Sequence, residues 1–131
     1  MSNQQTLQQR RAAQAFKDVQ EMVVLLEKDK KDSTANEYGT IIRGFPALIQ
    51  TDGLATALAF LQAKGKSAHR ATYQHISAWV MTQLTGKTGD LLNWLMDAST
   101  FQYRQATAEA LAYTTWLKRF VEANDLKSSN N

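Results

Sequence analysis

Helix-breaking residues are scarce in this chain, whose 131 residues include one proline and six glycines. In almost every segment the apolar residues recur at spacings of three and four, which is the pattern of a helix that buries one face rather than of a strand. A chain of this length favours one domain around one hydrophobic core. The sequence therefore predicts an all-α fold, a compact single-domain helical bundle that spans residues 1–131.

Turn residues and helix caps divide the chain into about six helices, of which the first and the last are long. Thr34 and Glu37 have the spacing of a capping box that opens the second helix, and Ser99 and Gln102 have the same spacing at the start of the last one. The predicted helices cover about residues 5–30, 34 to the turn at 51–53, 53–64, 67–84, 91–97 and 99–123.

We expect the helical structure to be interrupted within the second helix and absent at the two chain ends. Gly44 and Pro46 interrupt the second helix, where we expect a kink or a short break, because proline lacks the backbone N–H that a helix interior needs. The chain ends are rich in polar residues, so we expect residues 1–5 and 124–131 to fray.

The first helix carries more apolar residues than one buried face needs. Phe16, Val19 and Val23 fall on one arc, because each residue turns the helix by about 100°. Val24 and Leu25 lie outside that arc. They are candidates for contact with another subunit or with further copies of the same chain. The alternative is that the loop KDKKDST or the second helix covers them within the monomer.

Catalytic and metal-binding patterns are missing from the sequence. The chain has no cysteine, which excludes disulfides and thiolate metal sites. His69 and His75 are six residues apart, about 240° around a helix, so they cannot chelate one metal from the same face. The stretch GKTGD lacks the upstream glycine of a phosphate-binding loop, and Met81 stands in its place. We expect no catalytic residue, no metal, no cofactor and no small-molecule substrate.

The N-terminal stretch MSNQQTLQQRR lacks the apolar core of a signal peptide. The longest apolar runs are far shorter than the ~20 residues that span a bilayer. Together with the absence of cysteine, these features predict a cytoplasmic protein with no membrane partner.

Glu109 is an unusual carboxylate, because on the wheel of the last helix it falls on the same side as Tyr113, Trp116 and Phe120. A carboxylate on an apolar face needs a partner, for example an arginine of another helix or the hydroxyl of Tyr113. No second catalytic candidate accompanies Glu109. We therefore favour a structural buried pair, or contact with a partner subunit, over a catalytic acid.

Basic residues are the main functional signal. Fifteen Lys and Arg against twelve Asp and Glu give a net charge of +3, which is compatible with a polyanionic partner. On the last helix Arg104 lies at about 40° and Arg119 at about 100° from Lys118, away from the apolar side. Arg10 aligns with other basic residues of the first helix. The alternative is an ordinary solvated surface with pairs such as Lys118–Glu122.

The turn between the third and fourth helices holds the densest basic group. Four basic side chains fall within seven residues with no acidic residue among them, so this turn can contact phosphates through charge. These residues are Lys64, Lys66, His69 and Arg70.

Three blocks of the sequence resemble the small helical subunit of type III-B CRISPR RNA-guided effector complexes, the Cmr family. They cover about half the chain in the order of the family. The blocks are QQRRAAQAFKDV (8–19), FPALIQTDGLATALAFLQAKGK (45–66) and YRQATAEALAYTTWLKRFVEA (103–123).

This resemblance implies an all-α bundle without catalytic activity that serves in antiviral defence. It implies that copies of the chain stack in the belly of the assembly beside the other Cmr subunits. It also implies a basic face along the path of the target RNA, where the guide–target duplex is contacted through its phosphates. The residues expected on this RNA path are Arg10, Lys64, Lys66, Arg70, Arg104, Lys118 and Arg119, of which Arg70 lies outside the matching blocks.

Two other functions remain open from the sequence. One is a helical protein–protein adaptor that never touches RNA. The other is a DNA-binding regulator in which residues 54–84 form a helix-turn-helix, although the second helix would present Tyr, His and Ser rather than Arg, Asn or Gln to the bases.

Overall fold

A computed structural model describes residues 4–129, which form six α-helices and no strand. The predicted all-α class and the long first and last helices are confirmed. One hydrophobic cluster contains residues of all six helices. The helices are α1 (Leu7–Lys28), α2 (Thr34–Asp52), α3 (Leu54–Lys64), α4 (Ser67–Thr85), α5 (Leu91–Met96) and α6 (Thr100–Ala123).

The last helix, α6, lies at the centre of the bundle and packs against α1, α2 and α4. Its buried face repeats every three or four residues through Ala106, Ala110, Tyr113, Leu117 and Val121, each 0% exposed. The two alanines allow neighbouring helices to approach closely, while the larger residues fill the space between them. Burial of each large apolar side chain contributes about 1.5–3 kcal/mol, an upper estimate because the unfolded chain also buries some surface.

Helix α4 is also central, with nine buried residues distributed around most of its circumference. Among them are Tyr73, His75 and Ser77, the polar residues that a helix-turn-helix regulator would have to present to DNA. Because these side chains face the core, the fold disfavours the regulator hypothesis.

The capping prediction is confirmed at one helix and wrong at another. Ser99 and Gln102 form the predicted capping box of α6. In α2 the N-cap is Ser33 rather than Thr34, because the carboxylate of Asp32 accepts the Thr34 backbone N–H at 2.9 Å and allows the helix to begin at Thr34. Glu37 accepts a hydrogen bond from the Ser33 hydroxyl instead.

Of the kink or short break expected at Gly44 and Pro46, the break is absent, since the helix continues through Pro46 to Asp52. Phe45 and Ile49, on either side of Pro46, are each 1% exposed. Their burial offsets the hydrogen bond that proline cannot donate.

The C-terminal segment, for which we expected fraying over 124–131, contacts α2 within its described part. Residues 126–128 contact α2. Leu126 is only 2% exposed, and the backbone N–H groups of Lys127 and Ser128 donate hydrogen bonds to the Asn36 and Thr40 side chains. The Arg43 guanidinium donates a hydrogen bond to the Leu126 carbonyl at 3.2 Å. Of the other residues expected to fray, residues 4 and 5 precede α1 without helical structure, and residues 1–3 and 130–131 lie outside the described residues. None of the helices between residues 4 and 129 has the length and apolar character needed to cross a membrane.

Candidate nucleic-acid interface

The seven basic residues expected on an RNA path all reach the surface. Six of them are exposed and Lys118 is half-buried. Within residues 4–129 none of the seven lies within salt-bridge distance of a carboxylate. The pair Lys118–Glu122, which an ordinary solvated helix would form, is therefore not made. Seven cations without acidic partners are available for an external anion.

Lys64 and Lys66 lie on either side of the turn that joins α3 and α4. Gly65 ends α3 with a left-handed φ of 63°, which a residue with a side chain adopts with strain, and Lys66 is the N-cap of α4. The turn therefore projects two lysines within three residues. His69 adds an aromatic ring rather than a charge, because burial and the neighbouring lysines lower its pKa.

Arg70 lies on a different flank of the same helix pair. It lines a surface hollow together with Gln62, Tyr73 and Gln74, whereas His69 contacts Phe60 on the opposite flank. Phe60 and Gln62 are about 200° apart around α3. The four basic groups that the sequence crowds into one turn are thus divided between two surfaces. Glu37 of α2 also lies within electrostatic range of His69, an acidic neighbour that the local sequence did not reveal.

The remaining basic candidates lie on α1 and α6. Arg104 and Arg119 are exposed at opposite ends of α6. Arg119 lines a hollow with Gln8 of α1, which brings the N-terminal part of α1 close to the C-terminal half of α6. Arg10 is exposed on α1 and donates a hydrogen bond to the Gln5 carbonyl at 3.2 Å.

Glu109 lies inside the fold, where it forms the predicted buried pair with an arginine of another helix. Arg11 of α1 donates two hydrogen bonds to the carboxylate, at 2.5 and 2.8 Å, and the Trp79 indole N–H donates a third at 2.8 Å. Burial alone would raise the pKa of Glu109, but the donors outweigh it and the pKa lies below its ordinary value. Since Glu109 is 8% exposed and fully paired, little of it is left for a partner subunit.

A second group of polar side chains in the core was missed at the level of sequence. The Tyr113 hydroxyl, proposed above as a partner of Glu109, instead donates a hydrogen bond to Asp18. The Tyr38 hydroxyl and His75 Nδ1 are 2.9 Å apart, and His75 Nε2 lies 4.0 Å from Asp18. A signal was present, because Asp18 follows Ala15 by three residues and precedes Met22 by four on the buried face of α1.

The Asp18 group predicts a pH-dependent effect of the Asp18→Asn variant on stability. Burial raises the pKa of the Asp18 carboxyl above its ordinary value of 3.8, against opposing effects of His75 and of hydrogen bonds. Because the pKa of Asp18 is raised in the folded state, the folded protein tolerates the neutral carboxylic acid better than the carboxylate. The contribution of Asp18 to stability is therefore full below its unfolded-state pKa and is lost as the pH rises through its folded-state pKa. Asparagine removes the charge while keeping a hydrogen-bonding side chain.

We therefore expect Asp18→Asn to unfold at a higher temperature than the wild type at pH 7, with the difference shrinking as the pH falls towards about 4. Thermal unfolding followed by circular dichroism over this range measures the effect. Asp52→Asn, a change of an exposed carboxylate, serves as the control. A variant that is less stable than the wild type at pH 7 would contradict this account.

The two apolar candidates for subunit contact behave differently. Val24 is 43% exposed, so no part of the described chain covers it fully. Leu25 is half-buried and packs against the hydrophobic core. Other exposed apolar side chains include Phe16 on α1, Phe60 on α3, and Met96 and Phe101 around the turn between α5 and α6. Val24 is thus the more exposed residue of the predicted pair.

The fold and the surface together define an all-helical protein whose core carboxylates are paired and whose basic side chains reach the surface. Within residues 4–129 no group of three or more His, Asp or Glu is placed to hold a metal ion. The carboxylates of the core are hydrogen-bonded to Arg11, Trp79 and Tyr113, and the described buried side-chain atoms include one without a partner, His69 Nδ1.

The sequence of residues 7–124 matches the profile of a family described as CRISPR-associated protein (Cas_Cmr5). The chain therefore belongs to the Cmr5 family, and the resemblance drawn from the three sequence blocks is confirmed. It is similar to the CRISPR system Cmr subunit Cmr5 of Thermus thermophilus, with 33% identity over 95 residues, 71% of this chain and 79% of the relative.

The fold is similar to an X-ray crystal structure of a CRISPR-associated Cmr5 family protein, also from Thermus thermophilus. The two superimpose with a TM-score of 0.74 at 30% sequence identity. The similarity covers 92% of this chain and 97% of that one.

Proposed function

We propose that this chain is a non-catalytic small subunit of a type III-B Cmr effector complex in cytoplasmic antiviral defence. It stacks with further copies of itself in the belly of the assembly, beside the other Cmr subunits. There it contacts the target RNA through phosphates, without reading sequence. The observation that best supports the proposed RNA contact is the set of seven surface cations that have no acidic partner among residues 4–129.

Phosphate contact is the chemistry that suits such cations. In a guide-directed complex the base pairs with the guide supply sequence specificity, so a small subunit adds affinity along the backbone. Lysine ammonium groups and arginine guanidinium groups on exposed side chains displace the counterions of RNA, which makes the affinity fall with salt.

Exposed apolar side chains support the assembly part of the proposal. Val24 on α1, and Met96 and Phe101 beside the start of α6, are exposed and belong to different elements of the fold. Apolar positions on separate surfaces suit a subunit that contacts more than one neighbour. A helical adaptor that never touches RNA shares this assembly role and is distinguished by the salt dependence of RNA binding.

Neutralisation of the α3–α4 turn tests the RNA contact. In a guide-loaded complex containing the variant, we expect the affinity for target RNA to fall about ten- to a hundredfold at about 0.15 M salt. The slope of log K against log salt should lose about two units, since each phosphate of a single strand contributes ~0.7. Titration at several salt concentrations measures both quantities. The substitutions are Lys64→Gln, Lys66→Gln and Arg70→Gln.

A matched control also removes three positive charges, but from the exposed end of α1 and the loop that follows it. All three control residues are exposed, and the control complex should bind target RNA with the affinity and salt slope of the wild type. An unchanged slope for the α3–α4 variant, in a complex that contains the subunit at the normal ratio, would exclude this turn from the RNA path. The control substitutions are Lys28→Gln, Lys30→Gln and Lys31→Gln.

A further inference from the structure

Phe60 is an aromatic side chain that the fold leaves on the surface beside the basic turn. It lies on α3 outside the buried face formed by Leu54, Ala57, Leu58 and Leu61, and it is 39% exposed. The His69 ring meets it edge to face, with the ring centroids 5.7 Å apart and the planes at 69°. The Lys64 ammonium lies over the ring, 5.9 Å from its centroid.

The charged side chains around this ring are mainly lysines, with Glu37 of α2 as a weaker acidic neighbour of His69. Lys64 follows Phe60 by one helical turn, Lys66 lies in the adjoining turn, and both are exposed. His69 Nδ1 is buried without a hydrogen-bond partner. That arrangement fits a neutral imidazole whose ring packs against Phe60 and holds it in place, while the two lysines supply the positive charge.

We propose that Phe60 is a stacking platform for an unpaired nucleobase of single-stranded RNA, with Lys64 and Lys66 on the flanking phosphates. The proposal rests on the proposed function and deepens it, because it adds contact with a base to contact with phosphates. An aromatic face beside positive side chains is the combination with which proteins hold single strands independently of sequence. A stacked base takes the place of the Lys64 ammonium over the ring, and the ammonium turns to the phosphate.

A protein partner fits this surface less well. Lysine is depleted in the buried centres of protein–protein interfaces, where charges have to be desolvated. Here Lys64 lies over the aromatic ring, and Lys66 lies in the adjoining turn. The exposed Phe101, which is 70% exposed at the start of α6, offers a more suitable protein anchor.

The test is a nuclear magnetic resonance titration of the full chain at low salt with two probes. One is a short oligoadenylate, and the other is an abasic oligonucleotide with the same number of phosphates. We expect the oligoadenylate to shift the ring resonances of Phe60 and to bind about tenfold more tightly than the abasic probe. Equal affinities for the two probes, or no shift at Phe60, would overturn the proposal.

The variant Phe60→Leu separates stacking from charge. It should reduce the affinity for oligoadenylate to that for the abasic probe and leave the abasic affinity and its salt slope unchanged, because both lysines remain. Phe101→Leu is the matched control and should bind both probes as the wild type does. If Phe60→Leu instead blocks incorporation into the Cmr complex and leaves both affinities unchanged, Phe60 is a protein contact and the proposal is wrong.

These outcomes are independent of the test of phosphate contact. If neutralisation of the α3–α4 turn weakens target RNA binding by the complex while Phe60→Leu changes neither probe, the proposed function stands and base stacking fails. If neutralisation has no effect on the complex, the proposed RNA contact fails at this turn, whatever the probes show for the isolated chain.

Discussion

Arg11→Met should lower the free energy of unfolding by about 3 kcal/mol, because it leaves the Glu109 carboxylate buried with the Trp79 N–H as its remaining hydrogen-bond donor. The Arg11 and Glu109 side chains are 20% and 9% exposed, so the carboxylate has little access to water. Chemical denaturation at pH 7 measures the loss. Arg10→Met removes the same group from an exposed neighbour and should cost less than about 0.5 kcal/mol.

The pair itself contributes less than the loss of one partner suggests. Replacing both residues, with Arg11→Met and Glu109→Met together, should recover most of the stability, since apolar residues of similar volume often replace a buried pair at little cost. The deficit of Arg11→Met should also shrink in acid, where Glu109 is protonated and no longer a buried charge. If Arg11→Met alone proved as stable as Arg10→Met, the Arg11–Glu109 pair would not hold α1 to α6.

Gly39→Ala should lower the free energy of unfolding by about 2 kcal/mol and release the C-terminal segment. A Cβ atom at this position would overlap the backbone carbonyl group of Leu126, which cannot give way as a flexible side chain does. The segment would leave its place on α2, and the buried Leu126 side chain and its hydrogen bond from Arg43 would be lost. The better helix propensity of alanine offsets about 1 kcal/mol of this cost.

The same helix offers a matched control for this prediction. A Cβ atom on Gly44 meets no atom within 4 Å, so Gly44→Ala should stabilise the chain by up to about 1 kcal/mol. In a chain shortened to end at Ala123, Leu126 no longer lies against Gly39. Gly39→Ala should then stabilise the chain, as Gly44→Ala does. Destabilisation of equal size in the full and shortened chains would contradict the docking of Leu126 against Gly39.

The helices were predictable from sequence because their signals are local. Apolar residues at spacings of three and four, and the capping box at Ser99, act within one or two turns, and the structure confirms them. The continuity of α2 through Pro46 was not predictable in this way. It depends on Phe45 and Ile49 being buried against other helices, and the local sequence does not contain that information.

Features that join distant parts of the chain were only partly predictable. The need of Glu109 for an arginine follows from its position on an apolar face, but Arg11 lies 98 residues away. The docking of Leu126 on α2 was likewise hidden from the local sequence, because its partner Arg43 is 83 residues away. The exposure of the basic residues was predictable from helical periodicity. Their division between two flanks of α3 and α4 depends on how these two helices pack.

The measurement that tests the central claim most directly is co-expression of a tagged form of this chain with the other Cmr subunits and a guide RNA, followed by purification on the tag. The account predicts recovery of a guide-loaded complex that contains this chain. A chain that purifies alone, under conditions in which the other subunits assemble around the guide, would contradict the proposed role in the effector complex.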